Sequence, residues 1–383
     1  MHESRQRKPP PPIPISILTG FLGAGKTTLL NALLRDPELE GTLVLINEFG
    51  EIGLDHLLVE TIDRDMMLLE SGCLCCTIRG ELADTLEDVL RRVDNGRMGA
   101  FDRILIETTG LADPAPVMQT IMQHPYLSLR FYPETLITMV DAINGAQTLD
   151  RHPEAKRQVA MADKIVLAKT DLIDTANERE GLPRLRARLQ AINPLAMLLD
   201  AQAGEATIAK LFCGSPYDLS AKPAAVREWL REDAVAASSG HRHDGHEHHH
   251  AHDPNRHDAH VRAACLRSEN PLDPAQFEMF IEMVRKVHGQ HLLRVKGLVA
   301  LANDPDRPLV IHGVQHIFHP PARLDRWPDT DRSSRMVCIL HDLEPEFIQG
   351  LWDAFTGTPA IDQPDDASLR ANPLKPGNAG LLA

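Results

Sequence analysis

The eight residues Gly20-Phe21-Leu22-Gly23-Ala24-Gly25-Lys26-Thr27 constrain this chain more than any others, because they match the pattern G-x-x-x-x-G-K-[ST]. The apolar run before them reads as a strand and the run after them as a helix. In that setting glycines let backbone N–H groups converge on phosphate oxygens, and the helix adds its N-terminal dipole. Gly20, Gly23, Ala24, Gly25, Lys26, Thr27 and Thr28 are therefore the expected phosphate-binding set. Lys26 is expected to reach the β- and γ-phosphates, and the Thr27 hydroxyl to ligate Mg²⁺.

Around this loop the chain alternates short apolar strands with amphipathic helices, the pattern of a parallel sheet covered on both faces. Strands are expected at Ile13–Thr19, Thr42–Ile46, Met66–Leu69, Arg103–Glu107, Thr135–Val140, Lys164–Ala168 and Ala196–Leu199. Between them, Arg79–Val93 carries Leu82, Leu86, Val89, Leu90 and Val93 at helical spacing. The strand at Arg103 ends in Glu107-Thr108-Thr109-Gly110, where the acid can help hold Mg²⁺ through water and the Gly110 amide can sense the γ-phosphate. The strand at Lys164 ends in Ala168-Lys169-Thr170-Asp171, placed as a guanine-recognition motif N-K-x-D would be. Asp171 can accept from the guanine N–H and exocyclic amine, and the Lys169 stem can cover the base. Ala168 stands where that motif has Asn.

The 383 residues suggest two domains. The expected order is a disordered N-terminus (1–12), a P-loop GTPase domain (13–220), a flexible linker (221–260), a smaller α+β domain (261–357) and a disordered tail (358–383). The second domain is expected to build a mostly antiparallel sheet from strands near Val261–Leu266, Leu292–Leu301, Leu309–Phe318 and Arg335–Leu340, with helices at Pro274–Val287 and from Glu344. In the strand Leu309–Phe318, His312 and His316 share a face with Val314 and Phe318, and read as structural histidines. A formal charge of −14 with scattered basic residues argues against sequence-independent nucleic-acid binding, which needs basic surface. No run approaches the length of a membrane helix, and Met1–Pro12 has no apolar stretch behind it to serve as a signal peptide. Six cysteines in so long a chain do not make a disulfide framework, so a cytoplasmic setting is expected.

Three of those cysteines sit in Cys73-Leu74-Cys75-Cys76, too tight for two disulfides but able to present thiolates to one soft or borderline metal such as Zn²⁺. Thr77 is expected to cap the helix that follows, whose positive end would favour thiolate at Cys75 and Cys76. Glu51 is the candidate fourth ligand, with solvent or a partner residue as the alternative. The linker adds nine histidines: His241, His243, His246, His248, His249, His250, His252, His257 and His260. Imidazoles close together on a flexible chain bind Zn²⁺, Ni²⁺ or Co²⁺ loosely, as suits capture or buffering. Isolated Cys213, Cys265 and Cys338 read as structural.

Taken together, Thr19–Thr28, Asn47-Glu48-Phe49-Gly50-Glu51, Gly72–Cys76 and Glu107-Thr108-Thr109-Gly110-Leu111-Ala112-Asp113-Pro114 resemble the CobW family of metal-linked GTPases, relatives of the HypB and UreG GTPases. With the histidine-rich linker and the C-terminal domain, the resemblance covers nearly the whole chain. It implies a GTP-dependent metallochaperone with GTP, Mg²⁺ and Zn²⁺ as cofactors, which transfers metal to a client metalloprotein recognised by the C-terminal domain. Self-association is left open. Cobalt (Co²⁺) delivery, for cobalamin synthesis or a nitrile-hydratase-like enzyme, is the rival within the family. A nucleotide-regulated metal buffer or sensor and an ATP-dependent kinase are the rivals outside it.

Overall fold

A computed structural model describes residues 11–47, 66–69, 78–212, 260–319 and 321–357. The N-terminal part runs β1 (Ile13–Gly20), α1 (Lys26–Leu34), β2 (Thr42–Asn47), β3 (Met66–Leu69), α2 (Ile78–Asp94), β4 (Arg103–Glu107), α3 (Ala115–Gln123), α4 (Leu127–Arg130), β5 (Phe131–Asp141), α5 (Gly145–Arg151), α6 (Pro153–Met161), β6 (Lys164–Ala168), α7 (Ala176–Ile192), β7 (Met197–Asp200) and α8 (Ile208–Leu211). Its seven strands pair in parallel throughout, in the order β3-β2-β4-β1-β5-β6-β7.

Side chains alternate across each strand, and the two cores divide accordingly. Ile15, Ile17, Ile104 and Ile106 pack with residues of α2, α3, α6 and α7, whereas Leu18, Leu105, Ile137 and Val166 pack with α1. Strand β1 lies between β4 and β5; the crossover from β1 runs to β2 on one side, and the crossover from β4 runs past β1 to β5 on the other. Ligands of open α/β sheets sit at such a switch point, beyond the carboxyl ends of the strands.

Strand β5 starts earlier than expected. Pro133 falls opposite Ile15 and has no N–H to donate, so the register slips and Ser16 pairs with Thr135. The skipped residue, Glu134, turns its carboxylate to Ser16 Oγ at 2.7 Å and to Arg103 Nε at 2.8 Å.

The C-terminal part comprises β8 (Val261–Ser268), α9 (Pro274–His288), β9 (Leu292–Leu301), β10 (Asp304–Val314), β11 (Ile317–Phe318), β12 (Ala322–Arg323), β13 (Ser334–His341) and α10 (Pro345–Thr356). Its strands form an antiparallel sheet in the order β11-β10-β9-β13-β8, with β12 on β10. One face packs on α9 and α10, where Phe280 and Trp352 meet Val295, Met336 and Cys338. The other face meets the parallel part: Leu293, Val314, Ile317, Val337 and Ile339 share a core with Val117, Val159 and Leu185.

The single strand Leu309–Phe318 is corrected to a hairpin. The chain reverses at Gln315, whose φ is +53°, and Val314 then pairs with Ile317. His316 therefore lies exposed at the turn, off the face of His312. Buried His312 instead stacks on His319, with ring centroids 5.3 Å apart.

Beside this histidine pair the two parts are joined by charge. Asp163, just before β6, receives Arg294 at 2.6 Å and Lys296 at 2.7 Å from β9, and accepts from the Leu136 amide at 2.9 Å. Burial alone would raise the Asp163 carboxyl, but Arg294 and Lys296 outweigh it and hold it well below its ordinary value. Burial lowers Lys296 to about 8 against the pull of Asp163. A second polar link runs from Gln119 Nε2 on α3 to Gln315 Oε1 in the hairpin turn, at 2.7 Å.

Among the described residues no helix is long and apolar enough to cross a membrane. The N-terminal segment, linker and tail anticipated from sequence lie outside the described residues, apart from residues 11, 12 and 260.

Candidate functional site

The phosphate loop leaves the sheet at the end of β1, where β1 and β5 stay paired to Gly20 and Met139. A Cβ on Gly20 would stand 2.5 Å from the Met139 carbonyl oxygen, so only glycine passes there, at φ +140°. Gly23 and Gly25 also take positive φ, and Gly25 caps α1 with no side-chain hydrogen bond. The amides of a helix's first turn have no intrahelical acceptor and are suited to an anion at its N-terminus. Lys26 is buried, and its Nζ donates to the carbonyls of Gly20 at 3.0 Å and Phe21 at 3.4 Å.

Thr27 Oγ1 donates to Glu107 Oε1 at 3.3 Å, bringing together the helix head and the end of β4. Glu107 is itself buried. A hydroxyl and a carboxylate are hard oxygen donors, a set that fits Mg²⁺. Beyond Glu107 the loop is tied to β1: the Thr108 amide donates to Leu18 O at 2.9 Å and the Thr108 hydroxyl to Thr19 Oγ1 at 2.8 Å. Gly110 lies against the phosphate loop so closely that a Cβ would approach the Leu22 amide nitrogen to 2.6 Å.

On the other side of α1 opens a cavity of about 560 Å³, lined among others by Gly25, Thr28, Ala168, Lys169, Ala201 and Gln202. Lys169 takes φ +64°, and its Nζ bonds Asp141 Oδ2 at 2.7 Å. Burial would raise the Asp141 carboxyl, but hydrogen bonds from Lys169, Asn144 and the Ile143 amide hold it below its ordinary value. Asp171 is exposed on the short 3₁₀ turn Thr170–Leu172. Sequence reasoning missed the loop after β7. Asp200 anchors it, accepting from Thr170 Oγ1 at 2.7 Å and Arg186 at 2.8 Å, which places Ala201 and Gln202 on the cavity wall. Its only signal in the sequence is a glycine-containing stretch after the last strand.

Glu51, Cys73, Cys75, Cys76, Cys213 and the histidines from His241 to His257 lie outside the described residues. Among the described residues no group of three or more His, Cys, Asp or Glu is arranged to hold a metal. His260, the last of the histidine series, places Nδ1 2.5 Å from Asp342. Cys265 and Cys338 form no disulfide, and burial, then the neighbouring Cys265, pushes the Cys338 thiol up to about 12.

Residues 14–200 match the family described as CobW/HypB/UreG, nucleotide-binding domain, and residues 261–356 match the cobalamin synthesis protein cobW C-terminal domain. Zinc chaperone YjiA of Escherichia coli (strain K12) is 33% identical over 347 residues, covering 90% of this chain and 98% of that protein. The chain belongs to the CobW/HypB/UreG family. Other members of the CobW group are similar over comparable lengths: zinc chaperone CobW of Pseudomonas aeruginosa is 31% identical over 368 residues, covering 87% of this chain and 88% of that one. The crystal structure of Zn(II)-bound YjiA GTPase from E. coli matches the CobW-family fold described here with a TM-score of 0.61 at 26% identity, covering 90% of this chain and 99% of that one.

Proposed function

We propose that this chain hydrolyses GTP to drive a zinc-metallochaperone cycle in which metal bound at Cys73, Cys75 and Cys76 passes to a client metalloprotein. The observation that carries this reading is the convergence of Lys26, Thr27, Glu107 and Gly110 at one end of the parallel sheet. Edge strand β3 runs parallel to β2 and ends at Leu69, so the chain enters the cysteine segment from that same end, and it re-emerges into α2 at Ile78. Relatives called zinc chaperones support zinc as the cargo.

In this reading Lys26 exchanges its loop carbonyls for β- and γ-phosphate oxygens, and backbone amides of the loop surround the phosphates. Thr27 and Glu107 would hold Mg²⁺, which supplies neutralisation of the charge that builds on the transferred phosphoryl group. The Gly110 amide contacts the terminal phosphate, while Lys169 and Asp171 recognise guanine beside the cavity. Glu51 completes the zinc site, and the linker histidines collect metal for it. The client docks on the C-terminal domain, in the cytoplasm.

Metal and nucleotide are then linked, and linkage is reciprocal. Calorimetric titration of GTP into metal-free and zinc-loaded full chain should give affinities differing by roughly 5- to 150-fold, the span of a coupling of about 1–3 kcal/mol. The double change Cys75→Ala, Cys76→Ala should erase that difference and spare the metal-free affinity. Equal affinities in the two forms of the unmodified chain would leave a nucleotide-binding protein without a chaperone cycle.

A further inference from the structure

The GTP-hydrolysis reading assigns no role to one buried amide side chain close to the phosphate loop. Gln158 lies in α6 and is 1% exposed. Its Nε2 donates to two backbone carbonyls of the loop after β4, Gly110 O at 3.1 Å and Ala112 O at 2.9 Å. Both partners are acceptors only, so the network itself fixes which end of the amide faces the loop. Gly110 is meanwhile pressed against Leu22 on its other side. The loop expected to meet the terminal phosphate is thus clamped between the phosphate loop and one glutamine.

A clamp serves only if its own base is firm. Pro153 starts α6 after an extended His152, a favourable first position for proline. The backbone carbonyl of Gln158 also receives the Thr138 hydroxyl of β5 at 2.8 Å. At the far end, Asn193 is fully buried and its Nδ2 donates to the carbonyls of Val159, Ala160 and Ala162 at 2.8, 3.1 and 2.9 Å. Two residues past the helix comes Asp163, pinned to β9 by Arg294 and Lys296. The helix is held from the sheet, from α7 and from the C-terminal domain at once.

We propose that Gln158 is a positioning residue for GTP hydrolysis: by holding the Gly110 and Ala112 carbonyls it fixes the loop so that the Gly110 amide meets the terminal phosphate in one orientation. The proposal rests on the hydrolysis reading above. Its distinguishing consequence is selectivity, because GDP has no terminal phosphate for the loop to meet. Loosening the loop therefore lowers turnover and GTP-analogue binding while leaving GDP binding alone. A merely structural glutamine would affect both nucleotides and the melting temperature together.

The test uses the full chain with three variants. Gln158→Met keeps the volume and removes both donors, Gln158→Glu sets acceptor against acceptor, and Gln158→Asn keeps the amide but shortens its reach. For Met and Glu, kcat should fall roughly 10- to 100-fold, the scale on which a displacement of about 1 Å costs rate. GDP affinity should stay within about twofold, the ratio of GTP-analogue to GDP affinity should fall, and Asn should lie between these and the unmodified chain. Unchanged kcat in the Met and Glu variants, or a fall in kcat matched by an equal loss of GDP affinity and of Tm, overturns the positioning role. If the Met and Glu chains fail to fold, the Asn variant decides alone: kcat must drop with GDP binding retained, and unchanged kcat overturns the proposal. An unmodified chain that binds but does not hydrolyse GTP sinks the hydrolysis reading and this role together, a result distinct from normal hydrolysis that ignores position 158.

Discussion

Lys26 is an ammonium held in place by the carbonyls of its own loop, at Gly20 and Phe21. The loop therefore keeps its curvature around a positive centre before any phosphate arrives. Lys26→Ala removes that centre and also strips two carbonyls of a charged donor. GTP hydrolysis should become undetectable and GTP binding should weaken roughly 10- to 150-fold, the equivalent of one charge-assisted contact of about 1.5–3 kcal/mol. Fluorescent-nucleotide titration with a phosphate-release assay measures both, and near-normal turnover would remove Lys26 from the site. Residues such as Lys26, Thr27 and Glu107 were legible in sequence because a backbone that curls around phosphate dictates glycine and lysine spacing locally. Gln158 and Asp200 were not. Each acts on groups contributed by a segment distant in sequence, and nothing in its own neighbourhood of sequence records that.

At the scale of elements, the boundaries that local chemistry sets are the ones the sequence displayed. Asp273-Pro274 opens α9 with a side chain that accepts from the amides of Ala275 and Gln276 at 2.9 and 3.0 Å. Asp273→Ala should cost about 1 kcal/mol of stability, the usual worth of an N-cap. Urea denaturation with unchanged m-value measures it, and a loss below a few tenths would show that packing of Phe277 and Phe280 alone holds this helix end. Strands of the parallel sheet were legible for the same local reason, as short apolar runs buried on both faces. Strand β9 was legible in its bounds but not in its burial. Arg294 and Lys296 alternate with apolar neighbours, which is what a half-exposed strand shows, yet every residue of β9 is buried. The counter-charge that makes this tolerable, Asp163, is far away in sequence. The hairpin at Gln315 was missed because a left-handed glutamine carries no turn signal of the Gly or Asn kind.

At the scale of the whole molecule, the junction between the two sheets should make stability fall in acid. Burial, then the charge of Arg294, holds His319 at about 3, and burial with Arg294 and His319 nearby keeps His312 well below its ordinary value. Both stay neutral in the folded chain, while the unfolded chain takes up protons below about pH 6.5. Folding then loses stability as pH falls, by about 1.4 kcal/mol per pH unit for each proton withheld. The depressed Asp163 carboxyl adds to the loss below about pH 4, since its contribution is present only above the unfolded value. Urea midpoints at pH 7, 6 and 5 should decline, and His319→Phe should shallow the decline by about one proton; an unaltered slope would exclude His319 as a source. The C-terminal sheet that carries these histidines bears on several helices of the other part, the β10–β11 hairpin on α3 and strand β9 on α6. These helices flank the loop that holds Gly110: α3 follows it in the chain and α6 grips it through Gln158. The hairpin and β9 are joined to each other by a ladder of backbone bonds that resists sliding. The sheet thus spans two helices like a caliper, and in the proposed cycle what it gauges is the gap beside Gly110.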